Sequence, residues 1–177
     1  IGFDNAADVL DSRQSPADVI DLQHAAQSLT RLVRAGDYLA RWQDDCLLMV
    51  FRPTPRLAVA ALGERIRASI ASQPPDMGDD TQVAFACSVG LAEFPLAHDE
   101  HQLFGWEQAV ELADAALRWA RQHGGNGWVL LRPAQTAGPG NMLHEPGNNV
   151  ARFIAEGRLD VAGSSMADPP RRKDREV

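Results

Sequence analysis

Two short stretches of the chain carry charged side chains of types that can grip a small polar ligand. In Arg34-Ala35-Gly36-Asp37 a guanidinium and a carboxylate stand three residues apart. An arginine fork donates two parallel hydrogen bonds to a phosphate or a planar polar group, and a carboxylate accepts from N–H donors beside it. The same pattern also suits a helix C-terminus, where the macrodipole favours a cation and Asp37 pairs with a neighbouring arginine. The second stretch, Gln43-Asp44-Asp45, lies between two apolar runs and reads as a polar hairpin turn, a setting Asp tolerates well. Other candidates are weaker. His24, His98, His101, His123 and His144 are scattered, with no H-x-x-x-H spacing and no His/Cys pair that would hold a metal. Cys46 and Cys87 sit in apolar runs without C-x-x-C spacing, as buried small hydrophobes of a reducing compartment do. Ser88 precedes Gly90 without a G-x-S-x-G context and reads as a plain strand serine. Trp42, Trp106, Trp119 and Trp128 read as core or interface residues rather than a base-stacking platform.

These residues must be positioned by a chain of 177 residues, enough for one well-buried α/β domain. Hydrophobic residues make up 45% and charged residues 23%, as in an ordinary globular protein. The formal net charge of -7 argues against a broad basic surface for polymeric nucleic acid, while two or three arginines can still hold a small anion locally. No apolar run reaches the length of a membrane span, and no signal peptide is evident, so no direct membrane contact is expected of this segment.

The element pattern is alternating. Ser15, Pro16 and Asp18 form a capping box for a helix with Val19, Leu22, Ala25, Ala26, Leu29, Leu32 and Val33 at helical spacing, and Gly36 stands as its C-cap. Tyr38–Trp42 and Cys46–Phe51 read as strands flanking the turn, the second apolar enough to be covered on both faces. A helix is predicted near 55–72 with Ala58, Leu62, Ile66 and Ile70 on one stripe, then a Pro/Gly/Asp loop over 73–82 and a strand over 83–92. Glu107 to His123 reads as a helix closed by Gly124-Gly125, with Ala109, Ala113, Ala116, Leu117 and Ala120 inward. Trp128 to Leu131 makes a final strand. From Pro133 onward Pro, Gly, Asn and Ser dominate and a basic Arg171-Arg172-Lys173 cluster follows. The reading is therefore a domain over 1–131 and a mostly disordered tail over 132–177 with one short helix near 150–159.

Three stretches together resemble the GGDEF (diguanylate cyclase) family. Arg41-Trp42-Gln43-Asp44-Asp45-Cys46-Leu47 stands where the family has R-Y/W-G-G-D/E-E-F between two strands. Ala86-Cys87-Ser88-Val89-Gly90-Leu91-Ala92 is similar to its T-x-S-x-G-φ-A strand. Ala113-Asp114-Ala115-Ala116-Leu117-Arg118-Trp119-Ala120-Arg121, then Gly124-Gly125-Asn126, looks like A-D-x-A-L-Y-x-A-K followed by G-R-N. The resemblance implies an α/β (α+β) sandwich, with a central, mostly antiparallel sheet flanked by helices, related to the palm of nucleotide cyclases. It also implies a bacterial-type cytoplasmic domain, or the cytoplasmic part of a larger membrane-anchored protein, with a sensor or receiver domain upstream. In an active member, two domains meet face to face, each with one GTP and Mg²⁺. Paired hairpin glycines let the backbone approach the triphosphate, and the hairpin acid with a first-strand aspartate holds the metal.

This sequence departs from that pattern. Gln43 and Asp44 replace the two glycines, Asp45 keeps the third-position acid and Cys46 replaces the following glutamate. Gly2 falls where the first-strand metal aspartate belongs, with Asp4 the nearest substitute. The guanine-contacting asparagine falls near Leu10, and the G-D pair is reduced to Ala17-Asp18. Arg121 keeps the charge of the family's phosphate-binding lysine. The implied reading is a domain with a degenerate hairpin, catalytically inactive, with no cofactor expected. Were it an active diguanylate cyclase joining two GTP, Asp45 would be catalytic and would hold Mg²⁺ with Asp4. Arg34 and Asp37 lie in the register of the family's R-x-x-D inhibitory site for cyclic-di-GMP, and Arg65 at its secondary arginine. Cyclic-di-GMP is thus the expected ligand and a homodimer the expected assembly; a ligand-free dimerisation module is the remaining alternative.

Overall fold

The computed structural model describes residues 1–4, 17–43, 45–72, 86–94, 105–134 and 146–164. The cap expected at Ser15 and Pro16, the positions Leu10 and Asp44, the loop over 73–82 and the basic cluster at 171–173 lie outside the described residues.

The first helix, α1, spans Ala17–Thr30 and buries Leu22, Ala25 and Leu29, the spacing of an amphipathic helix. It stops before the end of its apolar stripe. The Ser28 and Thr30 hydroxyls donate to the carbonyls of His24 and Ala26, and the amides of Leu32 and Val33 fold back onto Leu29 and Thr30 as turns. Gly36, with φ of +92°, therefore does not cap this helix; it lies in the next turn, where Asp37 N–H donates to the Arg34 carbonyl.

Strands β2 (Tyr38–Gln43) and β3 (Cys46–Val50) form an antiparallel hairpin in which Gln43 pairs with Cys46. Gln43, expected in the turn, thus belongs to the strand, and the register shifts between Arg41 and Gln43. Only Cys46 and Leu47 of β3 are buried, and Val50 is exposed beside the edge strand, so the expected cover on both faces holds for the inner half alone. A short 3₁₀ turn at Arg56–Ala58 leads into α2 (Val59–Ala71), which buries Val59, Gly63, Ile66 and Ile70. Strand β4 (Cys87–Ala92), helix α3 (Trp106–Gln122) and strand β5 (Trp128–Pro133) follow.

Residues 146–164 carry two further elements, and the short helix expected near 150–159 is met four residues earlier. Helix α4 (Pro146–Ala155) packs Val150 and Phe153 into the core, and β6 (Leu159–Gly163) pairs antiparallel with β5, Leu131 opposite Val161. Burial of these apolar side chains against β5 and α3 stabilises elements whose local composition is poor in helix and strand formers.

The sheet runs β2-β3-β1-β4-β5-β6, where β1 is the short Gly2–Phe3 strand; among the described residues only β4 and β5 pair in parallel, joined through α3. The mixed α/β architecture with a mostly antiparallel sheet is the one expected. Strand alternation sends Cys87 and Val89 to a core with α1 and α2, while Gly90 faces α3. A second core joins α3, α4, β5 and β6 through Leu112, Ala116, Val129 and Leu131. Gly2 pairs with both Cys46 and Ser88, which puts the β1 backbone at the centre of the sheet between the hairpin and β4. None of the described helices is long and apolar enough to cross a membrane.

Candidate functional site

A connected polar cluster forms where the end of β1, the β2–β3 hairpin and the C-terminal end of α3 meet. Helix α3 holds its Ala/Leu face against the sheet and brings Arg121 in its last turn, a position the macrodipole favours for a cation. The Arg121 Nη2 donates to Asp45 Oδ2 at 2.9 Å and to the Phe3 carbonyl at 2.9 Å. Its Nε lies 3.7 Å from Asp4 Oδ1 and is buried, with no hydrogen-bond partner among the described residues. Asp4 is itself held: Ser88 Oγ donates to Oδ1 at 2.7 Å and the Asn126 amide to Oδ2 at 2.6 Å. Asn126 sits with Gly124 and Gly125 in a run of positive φ that turns α3 into β5, and its side-chain oxygen accepts from Arg67, which also pairs with Glu64 on α2.

Gly2 makes this arrangement possible. A Cβ at position 2 would overlap Arg121 Nη2 and stand 2.8 Å from its Cζ, so the guanidinium lies directly over the bare β1 backbone.

Electrostatics follow from this packing. Burial is the largest single influence on the Asp45 carboxyl and pushes its pKa up, but hydrogen bonds from Arg121 and Cys46 with the Arg121 charge outweigh it, and the net shift is downward. Cys46 Sγ donates to Asp45 Oδ1 at 3.3 Å; burial first, then that bond and the adjacent charge, push its thiol up to about 11. Burial and the Asp4 charge push Cys87 up to about 12. Both thiols are protonated and poor nucleophiles at neutral pH.

The second candidate region is the turn before β2. Asp37 Oδ2 accepts the Arg34 amide and Oδ1 accepts the Arg52 amide, each at 3.0 Å. Those two bonds, Arg52 first, draw its pKa down. The Arg52 side chain lies across Gly36, where a Cβ would stand 2.8 Å from its Cδ. Arg34 is exposed, four residues past the end of α1, so the macrodipole does not account for it. Arg65 is exposed on α2, and among the described residues no hydrogen bond or ion pair joins it to Arg34 or Asp37.

The structure thus brings Asp4, Asp45 and Arg121 together, and separately Arg34, Asp37 and Arg52. Sequence reasoning missed Arg52, Ser88 and Arg67. Ser88 is no plain strand serine: it is fully buried and orients Asp4. Its polarity at a strand position flanked by buried Cys87 and Val89 was the available signal. Beside this region, Leu22, Gln23, Ala26, Leu39, Ala40, Arg41 and Leu47 line a cavity of about 310 Å³ between α1 and the hairpin.

Comparison with known proteins gives a consistent picture. Residues 17–127 match the family model described as diguanylate cyclase, GGDEF domain. Among solved structures, an EAL/GGDEF domain protein from M. capsulatus is 25% identical with a TM-score of 0.60, over 73% of this chain and 79% of that one. A search of curated proteins found no match. With a matching fold and a family match over most of its length, the chain belongs to the GGDEF family.

Proposed function

We propose that this domain is a receptor in cyclic-di-GMP signalling rather than a synthase, binding cyclic-di-GMP through Arg34, Asp37 and Arg65. Family membership itself implies cyclic-di-GMP signalling. The observation that carries the receptor reading is the closed Arg34–Asp37 turn. Two backbone amides fix the Asp37 carboxylate, each of its oxygens keeps a lone pair for a guanine, and the Arg34 guanidinium stays in solvent. Against synthesis stand Gln43, which is built into β2 where the family has a bare glycine, and Asp45, whose carboxylate is taken by Arg121. The signal passes through a change in how two copies associate, and the domain acts beside a sensor or receiver domain in a longer cytoplasmic chain.

Calorimetry with cyclic-di-GMP on the wild type and on Arg34→Ala tests this. Binding that the substitution abolishes is expected. No heat with the wild type leaves a nucleotide-free dimerisation module instead. Incubation with GTP and Mg²⁺ tests the remaining reading, and product that Asp45→Ala removes would establish a cyclase.

A further inference from the structure

The Mg²⁺ that GGDEF cyclases use when active can be tested against the residues present. Asp4, Asp45 and the Phe3 carbonyl are hard oxygen donors of the kind Mg²⁺ takes, at about 2.0–2.1 Å in an octahedron. In this chain those oxygens face a cation already. Arg121 Nη2 lies 2.9 Å from Asp45 Oδ2 and 2.9 Å from the Phe3 carbonyl, and Nε lies 3.7 Å from Asp4 Oδ1. A divalent ion drawn to the same donors would stand against a guanidinium, and like charges in a half-buried site repel strongly. Both Asp4 oxygens are also engaged, by Ser88 and by the Asn126 amide. Among the described residues no three His, Cys, Asp or Glu side chains gather as a metal-holding group. The residues do not fit the metal.

We infer that Arg121 is the resident cation of this site: its guanidinium takes over the oxygen donors a divalent metal would use and closes the site to Mg²⁺. The inference rests on a pair of positions. A carboxylate at residue 2 would require a Cβ where Arg121 Nη2 lies, so a metal-binding aspartate there and this placement of Arg121 exclude each other. Gly2 removes one ligand and opens the space, and Arg121 fills that space with positive charge. Charge balance at the ends of β1 and the hairpin is thereby fixed by a covalently attached group. The same commitment turns Arg121 away from a phosphate, which would have to displace it from Asp45 and the Phe3 carbonyl.

The test uses Mn²⁺ as a paramagnetic probe and thermal melting, independent of any nucleotide, so it fails separately from the cyclic-di-GMP calorimetry. The wild type is expected to bind no Mn²⁺ at millimolar concentration and to melt at the same temperature in Mg²⁺ and in a chelator. Arg121→Ala is expected to melt lower by roughly 2–6 °C, from the loss of charge-assisted hydrogen bonds, and to acquire Mn²⁺ binding that a further Asp45→Ala removes. Mn²⁺ bound by the wild type and lost on Asp45→Ala would overturn the inference. So would an Arg121→Ala protein that melts unchanged, or one that melts lower yet takes no Mn²⁺, which leaves a structural role alone. Should Arg121→Ala fail to fold, Asp45→Asn probes the pair from its other side: a lower melting point with no response to Mg²⁺ supports the inference, and an unchanged one sinks it.

Discussion

Substituting Gly90 by alanine tests how α3 is held over the sheet that carries the site. Gly90 is the point of β4 closest to that helix. An added Cβ would stand under 3.0 Å from the Ala113 carbonyl oxygen and the Leu117 nitrogen, and 2.9 Å from Leu117 Cα. All three obstacles are backbone, so no rotamer change relieves them. Either the helix lifts by about an ångström or β4 bends, in the region where Leu112, Ala116 and Val129 are fully buried. Overpacking of this sort costs about 1–3 kcal/mol, and a backbone obstacle puts this site at the upper end. The gain from a stiffer unfolded chain, at most about 1 kcal/mol, does not offset it. At roughly 2–4 °C per kcal/mol for a domain of this size, the melting temperature should fall by about 4–10 °C. Circular dichroism melts and urea midpoints read this directly. Gly2→Ala is the internal comparison, because there the nearest atoms belong to the movable end of Arg121, and its loss should be the smaller of the two. A Gly90→Ala protein that melts within a degree of wild type would refute the close approach, and with it the positioning of Arg121 by α3.

Two further outcomes follow from the titrating groups. The Asp37 carboxyl is held below its ordinary range by the Arg52 and Arg34 amides, so its contribution to stability is present above about pH 4 and is lost as pH falls through its folded-state value. Asp37→Asn should therefore melt below wild type at neutral pH, with the gap closing in acid; a gap of constant size from neutral pH to pH 3 would show that the carboxylate charge has no part in closing the turn. Cys46 and Cys87, at about 11 and 12, expose a thiolate fraction on the order of 10⁻⁴ or less at pH 7 and are buried. A thiol reagent such as DTNB should label them slowly in the native protein and fast in urea, and rapid native labelling of either would contradict its burial beside a carboxylate.

Much of the fold was legible in the chain because its central elements satisfy local rules. The stripe of Ala109, Ala116, Leu117 and Ala120 marks α3 unambiguously, and the apolar runs on either side of Gln43 mark the hairpin. What escaped lies where tertiary contact overrides local preference. The short helix expected near 150–159 forms four residues earlier, at Pro146–Ala155: Pro146, Gly147, Asn148 and Asn149 are poor helix formers, yet α4 takes them in because Val150 and Phe153 have a core to enter. Leu159-Asp160-Val161-Ala162-Gly163 carries Asp160 and Gly163, types depleted in strands, and becomes a strand through its ladder with β5.

The site divides the same way, with a sharper consequence. Residue type made Arg121 a phosphate ligand by analogy, and the missing aspartate at Gly2 read as a simple defect. Neither position discloses the other, since they are 119 residues apart in sequence and meet only across the fold. On the inference drawn above the two belong together: Gly2 leaves the β1 backbone bare, and the forked Arg121 guanidinium lies over it and reaches Asp45 and the Phe3 carbonyl. Lysine at 121 could supply the charge but not the fork that spans Asp45, the Phe3 carbonyl and the edge of Asp4. An Arg121→Lys protein should therefore recover only part of the stability lost in Arg121→Ala, and full recovery would mean that charge alone, without geometry, holds the hairpin to the centre of the sheet.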